Sequence, residues 1–229
     1  MGQNRDSAAL FFQGHLPVNP PPTSMVYILD DDPLLRDALQ GLLESVGLET
    51  LACADVEAFV AAYRPNRPGC LLVDVRVQGR NDVGIQQRLR EQGIDMAVII
   101  IAGHADVAMA VTALKQGALD FIEKPFNDQI LLDGVHHALT VDAARRRVQA
   151  QRQDFLRRFE TLTSREQDVL RRVVEGLSNR EIAELLNLSR KTVEIHRAKV
   201  MRKMQAETLS ELIRIAMAIG ILKLFGPDA

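Results

Sequence analysis

From Met25 onward one pattern repeats five times: a short apolar run, then a stretch with a helical apolar period. The runs occupy residues 26–29, 48–53, 70–73, 97–101 and 119–122. The helical stretches occupy 34–43, 56–61, 85–90, 106–115 and 128–139. Runs that are apolar rather than alternating belong to strands covered on both faces. Helices must then lie on both sides, and strand–helix–strand crossovers are right-handed. The pattern predicts an α/β fold over residues 25–140, a doubly wound five-stranded parallel sheet.

The other segments read differently. Residues 1–24 hold Pro17, Pro20, Pro21 and Pro22 and no apolar period, which predicts a mobile leader. Its Leu10-Phe11-Phe12-Gln13-Gly14 fits a native tail and a protease-site remnant equally. Residues 141–159 carry six arginines and no Gly or Pro, which predicts a helical linker with Val148, Phe155 and Phe159 as a narrow apolar stripe. Residues 160–229 predict a small all-α domain. Thr163 or Ser164 caps a helix toward Glu175, with Glu166 and Gln167 placed for a capping box. Ser178 caps a helix over 179–186, Ser189 caps one to about Met204, and a last helix runs over 209–218.

Several classes fall away. No apolar run reaches the roughly eighteen residues of a membrane-spanning helix. No basic segment followed by an apolar one marks a signal peptide. Cys53 and Cys70 sit in apolar runs without metal-ligand spacing, so they read as reduced core residues. The expected location is the cytoplasm, with no membrane partner. A net charge of -2 speaks against nucleic acid, but the charge is unevenly spread. Residues 25–140 hold 9 basic and 17 acidic residues. Residues 190–203 hold 6 basic residues and only Glu194. A concentrated basic helix is the footprint of a DNA reader or, taken alone, of a solvated face.

Functional groups in a doubly wound sheet gather at the carboxyl ends of the strands. The first run ends in Asp30-Asp31-Asp32, the third in Asp74, and the fifth in Lys124-Pro125. Clustered carboxylates repel one another, and burial worsens the cost. Such a cluster is sensible beside a cation, and oxygen ligands completed by waters and phosphate are Mg²⁺ chemistry. A lysine there neutralises an arriving anion. The plain alternative is acidic helix caps and surface turns.

Four pieces together resemble the receiver domain of two-component response regulators over about residues 25–140. They are Ile28-Leu29-Asp30-Asp31-Asp32, Leu72-Val73-Asp74-Val75-Arg76, Gly103-His104-Ala105-Asp106 and Asp120-Phe121-Ile122-Glu123-Lys124-Pro125-Phe126. The resemblance implies that Asp74 accepts a phosphoryl group from a sensor histidine kinase. It implies Mg²⁺ held by Asp31, Asp74 and the Arg76 carbonyl, with Asp30 helping through water. Lys124 would contact the phosphoryl oxygens, and the bond before Pro125 would be cis.

The chain departs from that family at the end of the fourth strand. Ala102 stands where Thr or Ser is usual. That hydroxyl would bond the phosphoryl group, and a hydrogen bond to a charged group is worth about 1.5–3 kcal/mol. Inverting a two-state switch from 1:99 to 99:1 takes about 5.5 kcal/mol. Its loss therefore removes a large share of the switching energy, or merely tunes the switch. Gln78, Asp82 and Ala97 replace other usual residues, and Phe121 holds the aromatic switch position without a hydroxyl.

The all-α segment resembles the LuxR/NarL/FixJ helix-turn-helix over about residues 160–222. The carrying pieces are Leu162-Thr163-Ser164-Arg165-Glu166, Gly176-Leu177-Ser178-Asn179-Arg180-Glu181-Ile182-Ala183 and Ser189-Arg190-Lys191-Thr192-Val193-Glu194-Ile195-His196-Arg197. Ile182, Ala183, Leu186 and Leu188 are placed to pack the turn, and Val193, Val200 and Met204 to face the core. Lys191, Glu194, Ile195, Ala198 and Arg202 fall on the opposite face. Glu194 can accept from cytosine N4 and Ile195 can touch a thymine methyl. Lys191, Thr192, His196, Arg197, Lys199 and Lys203 are candidates for phosphate contacts, with Arg190 a further DNA-binding candidate. His196 equally fits a core position.

With the receiver, the chain most resembles FixJ/NarL-type response regulators. The resemblance implies a homodimer on activation, through the fourth helix and fifth strand of the receiver and through Leu209, Leu212, Ile213 and Ala216 of the last helix. A double-stranded DNA promoter site is the expected target, with RNA polymerase a further candidate partner. Two other readings stay open. One is a phosphatase-like hydrolase with Asp74 as nucleophile, although no substrate domain is evident. The other is a constitutive DNA-binding protein whose receiver is an interaction scaffold or senses another signal.

Overall fold

A computed structural model describes residues 24–75, 85–103 and 107–222. The chain divides into two compact units, residues 1–146 and 147–229.

In the first unit the five expected strands form: β1 (Met25–Leu29), β2 (Glu49–Cys53), β3 (Gly69–Asp74), β4 (Ala97–Ala102) and β5 (Asp120–Glu123). All pair in parallel, in the order β2-β1-β3-β4-β5. β1, β3 and β4 are buried almost throughout, as continuous apolar runs require. β2 and β5 are only partly buried, because each edge strand lacks one neighbour. Reading every run as covered on both faces therefore holds at the centre of the sheet and fails at its edges.

The helices are α1 (Pro33–Ser45), α2 (Val56–Ala62), α3 (Ile85–Glu91), α4 (Val107–Lys115) and α5 (Asp128–Glu160). Alternate strand residues face opposite sides. Val26, Ile28, Leu72 and Ile99 pack with Leu39 and Leu43 of α1 and with Leu131, Val135 and Leu139 of α5. Tyr27, Leu29, Leu71 and Ile100 pack with Phe59 of α2, Leu89 of α3 and Ala113 of α4. This is the doubly wound arrangement. Cys53 and Cys70 are buried and free of disulfides, as expected.

α5 does not stop near Leu139. It continues through the expected linker as a single helix of 33 residues. No Gly or Pro follows Gly134 in that helix, so nothing in the backbone interrupts it. The expected apolar stripe is broken. Phe155 and Phe159 pack on the core of the second unit, whereas Val148 is 64% exposed.

The second unit adds α6 (Ser164–Val174), α7 (Asn179–Leu186), α8 (Arg190–Met204) and α9 (Leu209–Ala218). Thr163, not Ser164, caps α6, and Ser178 caps α7; both make complete capping boxes with the glutamates three residues on. Asn187 and Gln205 take left-handed conformations that end α7 and α8. Val169, Leu170, Ile182, Val193, Val200 and Met204 form the core with Leu212, Ile215 and Ala216 of α9. Leu212 and Ala216 are therefore core residues rather than outward ones. Of the expected α9 dimer residues only Leu209 is exposed, and Ile213 is partly so.

Candidate functional site

β2 lies on one side of β1 and β3 on the other, so the winding reverses between β1 and β3. A crevice opens at the carboxyl ends of strands where this happens. Leu29 is in register with Val73, so the next residues, Asp30 and Asp74, emerge side by side. Lys124 follows β5 and returns across the end of β4. Its ammonium pairs with Asp74 and lies 3.4 Å from Asp30 Oδ2. The Lys124–Pro125 peptide is cis, as expected. The Lys124 amide donates to the Ala102 carbonyl at 2.8 Å.

Asp30 is nearly buried. Its Oδ1 accepts the Asp32 amide at 2.9 Å, and its carbonyl accepts Arg36 Nη1 at 2.7 Å. Burial pushes the Asp30 carboxyl above the ordinary carboxylate range, against the pull of the Asp32 amide and Lys124. Asp32 caps α1 by accepting the Leu34 amide. Asp31 is exposed, so the structure brings together Asp30, Asp74 and Lys124 and leaves Asp31 at the rim. Ala102 is fully buried and shares a core cluster with half-buried Phe121. Arg76, Gln78 and Asp82 lie outside the described residues, as do His104, Ala105 and Asp106. Among the described residues, Arg36 also contributes to this edge, and no spacing signal in the sequence marks it.

The donor set suits a hard cation. Asp30 and Asp74 offer carboxylate oxygens, both pair with Lys124 and stand beside exposed Asp31. Among the described residues no three His, Cys, Asp or Glu side chains already converge as a metal group. Lys124 occupies the space between the two aspartates.

The second unit presents α8. Val193, Val200 and Met204 face the core as expected, and Lys191, Glu194, Ile195, Ala198 and Arg202 are exposed. Arg190 and Lys199 are exposed as well. Three other candidates are engaged within the unit, and a fourth, His196, is half-buried. Lys203 bonds Glu166 Oε2 at 2.6 Å and the Thr161 carbonyl at 3.0 Å. Arg197 bonds Asn179 Oδ1 at 2.6 Å. The Thr192 hydroxyl pairs with that of Ser189, the α8 cap. His196 is half-buried, with its Nδ1 buried and lacking a hydrogen-bond partner among the described residues. The exposed side of α8 thus carries Arg190, Lys191, Glu194, Ile195 and Lys199.

The comparisons agree with this division. Residues 26–136 match the response regulator receiver domain, and residues 160–216 match the luxR family of bacterial regulatory proteins. The chain is 39% identical over 197 residues to the transcriptional regulatory protein FixJ of Bradyrhizobium diazoefficiens, covering 86% of this chain and 96% of that one. It resembles the low-resolution structure of the response regulator StyR with a TM-score of 0.75 and 33% identity, covering 85% of this chain and 98% of that one. It also resembles full-length FixJ from B. japonicum with a TM-score of 0.51 and 39% identity, over 87% and 98% of the two chains. Among the described residues no helix is long and apolar enough to cross a membrane. A receiver implies a histidine kinase partner, and a LuxR-type module implies DNA. The chain belongs to the FixJ-like two-component response regulators, transcription regulators that join a receiver to a LuxR-type DNA-binding domain and are not enzymes.

Proposed function

We propose that Asp74 is the phosphoryl acceptor of this regulator and that the exposed face of α8 reads its promoter. The observation that carries the first half is one ammonium, Lys124, shared by two carboxylates at the switch point of the sheet. An Asp74 oxygen attacks phosphorus on the phosphohistidine of the kinase. The new O–P bond forms as the N–P bond breaks, and the imidazole leaves. Asp74 then carries added negative charge, and Lys124, already in contact, turns to the phosphoryl oxygens. Asp30, Asp31 and the Arg76 carbonyl, with Asp74, are the groups that would hold Mg²⁺. Bound there, Mg²⁺ screens the charge on the phosphoryl oxygens. Asp30 is held in place by the Asp32 amide.

Ala102 supplies no hydroxyl to the phosphoryl group, and its methyl is sealed in the core cluster against which Phe121 packs. We read the coupling between phosphorylation and DNA binding as weak. Exposed Val107, Val111 and Leu114 on α4, spaced on one helical stripe, support a homodimer through this face. On α8, Glu194 and Ile195 reach base edges while Arg190, Lys191 and Lys199 meet phosphates. Helix-turn-helix dimers meet half-sites about 34 Å apart. RNA polymerase at the promoter and a cytoplasmic location complete the reading. The alternative, a receiver serving only as an interaction scaffold, draws its support from the same Ala102.

Incubation with a small phosphoryl donor and Mg²⁺ tests the acceptor. One phosphoryl group per chain is expected, lost in Asp74→Asn, without continuing turnover. Undiminished labelling of Asp74→Asn contradicts it.

A further inference from the structure

A buried carboxylate at the opposite end of β3 takes no part in this chemistry. Asp142, on α5, is 0% exposed. Its Oδ2 accepts the amide of Gly69, the first residue of β3, at 2.9 Å. The same carboxylate is ion-paired with Arg145 and Arg146, about one helical turn on. Arg145 also bonds the side chain and carbonyl of Asp95, ahead of β4. Arg146 reaches the Pro65 carbonyl and the Tyr63 hydroxyl, between α2 and β3. Gly69 is required here, because a Cβ would lie 2.7 Å from the Met25 carbonyl oxygen. The cluster ties α5 to three separate segments at the amino ends of the strands.

Beyond the cluster α5 loses lateral support. Every residue from 147 to 153 is exposed. Support returns where Arg152 Nε donates to the Ala218 carbonyl at 3.1 Å and where Phe155, Leu156 and Phe159 meet the second core. Isolated helices shorter than about 12–15 residues are marginal in water. An exposed stretch this short stays helical when a fixed turn precedes it and another follows. We infer that the Asp142 cluster is a latch. It holds the preceding turn of α5 against the start of β3 and so keeps residues 147–153 helical. When it opens, that stretch frays. A fully buried carboxyl group held by Gly69, Arg145 and Arg146 suits such a role, since removing one partner strands the others.

Limited trypsin digestion of the full chain tests this. Arg147 and Arg152 are exposed cleavage sites inside the stretch, and exposed Arg171 on α6 serves as the internal standard. The chain has no Trp and 2 Tyr, Tyr27 and Tyr63, so near-ultraviolet tyrosine signals report the first unit alone. Asp142→Asn is expected to speed cleavage at Arg147 and Arg152 by about tenfold or more relative to Arg171, because cleavage tracks the open population. The tyrosine signal should remain native. Wild-type cleavage rates with a native tyrosine signal overturn the latch. If Asp142→Asn loses the tyrosine signal, Arg145→Gln, which frees the arm that does not touch Tyr63, decides by the same readout. Wild-type rates in Arg145→Gln overturn it equally.

Discussion

The two ends of β3 treat carboxylates in opposite ways. At the amino end Asp142 alone meets two guanidinium groups and a backbone amide, and it is sealed from water. At the carboxyl end Asp30 and Asp74 share one ammonium, with Asp31 exposed beside them. The side chains of Lys124 and Asp74 there remain 21% and 12% exposed. The first site is sealed from water and holds structure. The second is open to solvent, which is what a site for a cation and a phosphoryl group requires. Buried acidity alone does not mark function; access from solvent does.

Several experiments would break or sharpen that contrast. The largest effect is expected from Asp74→Asn, with complete loss of phosphoryl labelling, whereas Asp142→Asn should retain labelling. Mass spectrometry of the intact protein reads both. Next, Mg²⁺ at about a hundred times its dissociation constant should stabilise the first unit by about 2.7 kcal/mol. A raised tyrosine-detected midpoint is the signal. That gain should vanish in Asp30→Asn and persist in Asp142→Asn; the same gain in both would erase the distinction.

A smaller effect is expected in the second unit, where Glu166 resembles Asp142 in being buried and paired. The Lys203 hydrogen bond, aided by the Thr163 amide, holds the Glu166 carboxyl below the usual range. A carboxyl lowered in the folded state contributes stability above its unfolded pKa, near 4.3. That contribution is lost as pH falls through the lower folded value. Glu166→Gln still accepts the Thr163 amide but loses the charge facing Lys203, so it should cost about 1–2 kcal/mol at neutral pH and flatten the acid limb of the unfolding curve. An unchanged limb would show that the pair contributes nothing. On α8, Lys191→Ala should lower the salt slope of DNA binding by about one, uniformly across sequences. Glu194→Ala should relax one base position by about 1–3 kcal/mol.

Much of this was legible in the sequence for identifiable reasons. β1, β3 and β4 are buried on both faces, so their composition declares them. The carboxyl-end rule alone places Asp30, Asp74 and Lys124 on one edge. The capping residues Ser178 and Ser189 announced α7 and α8. What could not be read depended on partners distant in sequence. Asp142 stands among arginines and reads as part of a solvated helix, until Gly69, Asp95 and Tyr63 surround the cluster. Lys203 belongs to a basic run and reads as a phosphate contact, until Glu166 arrives from α6. Leu212 and Ala216 are apolar on any reading, and only the packing of α9 shows that they face inward.

The most direct test of the account is the affinity of the full chain for its operator, with and without a phosphoryl donor, in wild type, Asp74→Asn and Ala102→Thr. The account predicts a phosphate-dependent gain below about tenfold in wild type, set against the 5.5 kcal/mol that a full switch needs. It predicts no gain in Asp74→Asn and a larger one in Ala102→Thr, which restores the hydroxyl. A gain of about a hundredfold or more in wild type, unaltered by Ala102→Thr, would contradict it.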